Sequence, residues 1–198
     1  MANLAFHPVD ATTLPAFEAF FDAVGAPKFC WCMAFRRTPD EVKVASSANS
    51  RRQMLGRIRD GVPVGLLAVE NGETVGWVSV APRATFRNLK GPPETEGESV
   101  WSISCFFVPR SRRGEGLSRK LIAGAVAHAR ANGATVVEAY PVAPDSPSYR
   151  HMGFVPVFAA AGFTDLGKAG KRRHVMRLAL PSADGPGAAR RARSNRPA

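Results

Sequence analysis

The residues best suited to chemistry lie together in Val108-Pro-Arg-Ser-Arg-Arg113-Gly-Glu-Gly116-Leu-Ser118. A β-rich run, VWSISCFFV, precedes this stretch, and a helical pattern from about Leu117 to Asn132 follows it. Between a strand and a helix, glycines let the backbone approach a ligand closely, and the first N–H groups of the helix have no intrahelical acceptor. The helix dipole adds partial positive charge at that end, so the segment reads as an anion cradle. Arg112 and Arg113 offer charge-assisted hydrogen bonds. Gly114, Glu115, Gly116, Leu117 and Ser118 offer backbone donors. No G-K-[ST] closes the run, which excludes the Walker pattern, and Arg119 stands where a dinucleotide fingerprint needs its third glycine.

A second group of candidates sits in SYRHMGFVPVFAAAGF, Ser148 to Phe163, where an aromatic residue twice stands four positions before a Gly-Phe pair. Tyr149 precedes Gly153-Phe154, and Phe158 precedes Gly162-Phe163. Phe154, Val157, Phe158 and Ala161 fall at i, i+3, i+4 and i+7, one face of a helix. Thr164 to Leu180 then suits two short strands with a turn around Gly167 to Lys171. The second frame is therefore preferred. Upstream, Glu138 and Tyr140 alternate on the strand Thr135 to Val142 and project to one face. A carboxylate in an apolar strand is costly to bury unless paired, so Glu138 reads either as a general base or as the ion-pair partner of an arginine. Glu98 is the second candidate base.

Cys30 and Cys32 are too close in sequence to bridge each other well, and with Cys105 they are read as reduced and structural. His7, His128, His151 and His174 are scattered and complete no metal-ligand spacing, so no metal is expected. The formal net charge of +11 concentrates in Arg110 to Lys120, Lys168 to Arg173 and Arg190 to Arg196. It points to an anionic partner. The arginine tail lacks interleaved aromatics, which disfavours nucleic acid. No apolar run is long enough to span a bilayer, and no signal-peptide pattern opens the chain, so a cytoplasmic location without membrane attachment is expected.

The elements that must position these residues follow from periodicity. Pro15 to Val24 and Ser46 to Arg59 read as helices, and Val62 to Glu70 and Thr74 to Val80 as a hairpin joined by Asn71-Gly72. Arg83 to Gly97 reads as a mobile loop, and Val100 to Val108 as a buried strand. The whole describes one mixed α/β domain over residues 1–180, with a largely antiparallel sheet flanked by helices. Residues 181–198 form a basic tail expected to be disordered.

Val108, Arg113, Gly116 and Ser118 match the spacing hydrophobic, four residues, Arg/Gln-x-x-Gly-x-Gly/Ala. On these residues the chain resembles the GCN5-related N-acetyltransferase (GNAT) family, with Ser118 in place of the final Gly or Ala. The resemblance covers roughly residues 1–180 and implies acetyl transfer from acetyl-CoA, as co-substrate, to an amine. It implies that Phe106, Phe107 and Val108 pair with the pantetheine arm and that the amides from Arg113 to Ser118 cradle the pyrophosphate. Cys30, Trp31, Cys32 and Phe35 fall where the family usually builds its acceptor pocket. Phe158 then occupies the position of a tyrosine that donates a proton to the leaving thiolate, which phenylalanine cannot do. Tyr149 becomes the candidate donor, alongside water. The acceptor stays open among antibiotic, polyamine, small metabolite, peptide N-terminus and lysine. Dimers are common among proteins of this resemblance. A CoA-binding or nucleic-acid-associated module without turnover is the alternative.

Overall fold

The computed structural model describes residues 4–23 and 25–181. Beyond Pro181 the expected tail lies outside the described residues. Seven strands form one sheet in the order β1-β2-β3-β4-β5-β7-β6. They are β1 (Leu4–Pro8), β2 (Leu66–Glu70), β3 (Glu73–Pro82), β4 (Val100–Phe107), β5 (Val136–Ala139), β6 (Thr164–Ala169) and β7 (Arg173–Ala179). Every neighbouring pair is antiparallel except β4 and β5, which run parallel. The helices are α1 (Leu14–Asp22), α2 (Pro39–Lys43), α3 (Ser47–Arg59), α4 (Leu117–Ala131) and α5 (Val155–Ala160).

Strand alternation sorts the apolar side chains to two faces. Leu66, Val78, Val80 and Ile103 face Leu121, Ile122 and Ala125 of α4. Leu67, Trp77 and Phe107 face Phe17 and Phe21 of α1 with Met54 and Ile58 of α3. Each such fully buried side chain contributes about 1.5–3 kcal/mol, so the apolar sets of α1, α3 and α4 hold the helices in place.

The hairpin at Asn71-Gly72 forms as its sequence suggests, and α5 followed by β6 and β7 matches the second Gly-Phe frame. Three features were not expected. β1 adds an edge strand on β2, and α2 adds a short helix before α3. The segment Arg83 to Gly97 is anchored rather than free. Phe86 and Leu89 are buried, and Arg83 donates to the carbonyls of Pro92 and Gly91. Its prolines and lack of periodicity hide this, because backbone carbonyls and arginines do the anchoring, Arg173 and Arg177 reaching Leu89 and Pro92 from far along the chain.

Candidate active site

Two local irregularities open the sheet at its centre. β5 pairs with β4 only through Val136–Ala139 against Val100–Ile103. The chain then leaves at Pro141, and Val142 bridges Phe154 and Arg173 instead. Ser104 is an extra residue in β4, because Ser79 pairs with Cys105 while Val80 pairs with Ile103. Such a bulge bends a strand and raises its twist. Beyond Ile103, β4 therefore keeps β3 on one side and has no paired strand on the other.

A cavity of about 990 Å³ fills that opening. Phe106, Ile122, Val157 and Phe158 line it on the α4–α5 side, and Cys30, Cys32, Phe35 and Cys105 on the other. Arg150 and His151 line it from the short turn after β5, whereas Trp31 is buried in the core. His151 carried no sequence signal that set it apart from the other three histidines. Burial lowers its pKa, favouring the neutral ring.

The cradle forms one end of the cavity, with Arg112 to Gly114 and Gly116 to Arg119 in its lining. Gly114 and Gly116 have φ of +87° and +74°, in the left-handed region that favours glycine, and both have open space where a Cβ would stand. The backbone N–H groups of Gly114, Glu115, Gly116, Leu117 and Ser118 have no acceptor among the described residues. No acidic residue occupies the first turn of α4. Arg112 is bound to Glu70 at the end of β2 and to Glu115, at 2.9 Å for the latter, and these carboxylates, Glu70 first, raise its pKa. It fastens the loop. Arg113 donates from Nε to the Val108 carbonyl at 3.2 Å.

The three sequence candidates for acid and base lie outside the cavity lining. Glu138 is fully buried, accepts from Arg177 Nε at 2.7 Å and from the Tyr140 hydroxyl, and lies 3.6 Å from Arg83. Burial, then the Glu138 charge, raises the Tyr140 pKa well above its ordinary value. Glu98 is held by Arg177 and by the Thr95 amide, which is the first cause of its lowered pKa. Tyr149 is exposed with φ +61° and sits 5.7 Å from Arg173, and it is not among the residues lining the cavity. Phe158 is buried against Phe106 and Phe163, at 6.0 and 5.1 Å between ring centroids. Among the described residues, no group of three or more His, Cys, Asp or Glu is placed to hold a metal ion, and no helix is long and apolar enough to cross a membrane.

The single seven-stranded, mostly antiparallel sheet flanked by helices matches the fold of solved acetyltransferase domains. The Acetyltransferase (GNAT) family matches residues 28–154, and the chain belongs to that family of N-acetyltransferases. No curated protein matches the sequence. Among solved structures, the GNAT domain of S. lividans PAT is 20% identical, with 88% of this chain and 89% of that one covered at a TM-score of 0.58. Ribosomal-protein-alanine N-acetyltransferase from Brucella melitensis is 23% identical over 89% of this chain and 99% of its own, at a TM-score of 0.52. YncA from Salmonella typhimurium, solved with its cofactor acetyl-CoA, is 20% identical over 92% and 97%, at a TM-score of 0.52. At these identities the likeness is one of fold.

Proposed function

We propose that the protein transfers an acetyl group from acetyl-CoA to the amine of a small-molecule or peptide acceptor, by direct attack of the amine on the thioester. The observation that carries this reading is the coincidence, in one cavity, of an unpaired strand edge and a run of unsatisfied amides at a helix N-terminus. The amides from Gly114 to Ser118, with the Arg113 charge, suit a pyrophosphate. The backbone of Phe106, Phe107 and Val108 suits an extended amide-bearing arm. YncA's acetyl-CoA complex supports the same choice of co-substrate. Arg112, already held by Glu70 and Glu115, serves to position the loop.

Acetyl-CoA supplies an activated thioester. The chain's own residues orient it against β4, pack Phe106, Val157 and Phe158 along one wall, and leave an amine to approach past Cys30 and Phe35. A free β4 N–H is suited to the charge that develops on the carbonyl oxygen. Glu138, enclosed by arginines, is assigned to structure. Tyr149 stays a candidate donor to the leaving thiolate only through movement of its exposed side chain, and water entering the cavity is its competitor.

The test is a calorimetric titration with acetyl-CoA, followed by free-thiol detection across a panel of amines. Saturable binding below about 1 mM with amine-dependent CoA release is expected. No binding at that concentration overturns the reading. Binding without release by any amine favours a CoA-binding module instead. In the same assay, a Tyr149→Phe variant with unchanged turnover up to alkaline pH removes Tyr149 from the mechanism.

A further inference from the structure

The cavity wall opposite α5 contains a thiol pair that acetyl transfer does not use. Cys32, between α1 and α2, and Cys105, beside the β4 bulge, are both buried and place their sulfurs 3.2 Å apart although 73 residues separate them in the chain. Two reduced cysteines acting only as small apolar fillers would account for the burial. Three further observations go beyond filling. Trp31 and Cys32 are consecutive non-glycine residues in the left-handed region, with φ of +44° and +54°, a conformation that persists only when its surroundings hold it. Trp77 Nε1 donates to the Cys32 sulfur at 3.1 Å and aims that sulfur. Arg36 is 2% exposed and has no carboxylate partner among the described residues.

Arg36 donates to the carbonyls of Pro63 and Val64 and to the hydroxyls of Ser79 and Thr85, while its Nε has no partner. Burial lowers its pKa to about 9, and the thiols of Cys32 and Cys105 are the groups that oppose this. A thiolate at either sulfur would give Arg36 the anion that the fold denies it.

We propose that Cys32 and Cys105 are a modification site: they join as a reversible disulfide when the protein meets a low-molecular-weight disulfide that enters the cavity. The sulfurs need to approach by only about 1 Å to reach bonding distance. In the first step one protein thiol loses its proton and its sulfur attacks a sulfur of the small disulfide. That disulfide's S–S bond breaks, a mixed disulfide forms, and one small thiolate leaves and takes up a proton. In the second step the other protein thiol loses its proton and attacks the protein-side sulfur of the mixed disulfide. The new Cys32–Cys105 bond forms and a second small thiol departs. Two electrons pass from the protein to the small disulfide, and two small thiols result. The hydrogen bond to Cys105, then burial, raises the Cys32 pKa, which lowers its thiolate fraction and slows exchange. Cys30, two residues from Cys32 and facing the Pro27 carbonyl at 3.6 Å, stays free.

The test uses the full chain and oxidised glutathione for several hours, then alkylation, digestion without reductant and mass mapping. The expected result is one peptide pair joined through Cys32 and Cys105, with Cys30 alkylated and all three thiols restored by dithiothreitol. Cys30→Ser keeps the cross-link and Cys105→Ser abolishes it, while the wild-type map stands whether or not a variant folds. Three alkylatable thiols after treatment overturn the proposal. So does a stable glutathione adduct without cross-link, or a bridge that includes Cys30. The consequence for catalysis rests on the acetyl-transfer reading: tying this wall together should lower CoA release about tenfold, and unchanged release from cross-linked protein overturns that consequence. The map needs no substrate, so failure of the cross-link and failure of the acetyl-transfer reading are told apart.

Discussion

Glu138 shows how position decides the chemistry of a carboxylate. Its strand is apolar, so a charge there must be paired, and the sequence left catalysis and ion pairing both open. Arg177 and the Tyr140 hydroxyl now occupy its oxygens, with Arg83 nearby. Glu138→Gln should cost roughly 3 kcal/mol, because removing one partner of a buried pair leaves the other uncompensated. Thermal unfolding should show a Tm lower by roughly 5–10 °C, with kcat of the folded protein within about threefold. A general base would give the opposite pattern, a kcat lower by about a hundredfold or more and little change in Tm. Phe158 was legible because helical spacing placed it on a buried face. The Cys32–Cys105 contact was not, since nothing local in a sequence marks two cysteines that a strand and a distant loop bring together.

At the scale of elements, long periodic segments such as α3 and α4 were readable, and so was the Asn71-Gly72 hairpin. α2 was not, because its five residues are fewer than two turns. Its signal was Thr38-Pro-Asp-Glu41, a capping box that the structure forms from both sides. Glu41 also accepts from Arg57 of α3 at 2.7 and 2.9 Å. The Arg57 hydrogen bond, first among its causes, lowers the Glu41 pKa. The folded state therefore holds the Glu41 proton less tightly than the unfolded chain does. The stability that this supplies is complete above the ordinary glutamate range, near pH 4.3, and is lost as pH falls through the lowered value. Glu41→Gln should reduce stability at pH 7 by about 1 kcal/mol and flatten part of the acid limb. Urea midpoints measured from pH 3 to 7 check this, and parallel curves for variant and parent would refute it.

For the molecule as a whole, composition and strand pattern were enough to read a single mixed domain, but the opening at its centre depended on where β5 stops. Pro141, Pro144 and Pro147 mark locally that the strand must end, but the new partners of Val142 are set by tertiary pairing. Leu180 is the last described residue in the core clusters. We propose that the domain ends near there, and truncation after Pro181 should then keep Tm within roughly 2 °C. A much larger loss by calorimetry would mean that the basic tail belongs to the folded unit.

The unpaired stretch of β4 has one more consequence. An unpaired ladder on the outer rim of a sheet invites strands from other molecules and, with them, aggregation. Here the same groups lie inside a cleft, bounded by α4, α5 and the Cys30–Phe35 segment. A second sheet is too thick to reach them, whereas a slender extended chain is not. The cleft thus works as a gauge of thickness, and it turns a hazard of β-structure into a criterion for what is admitted.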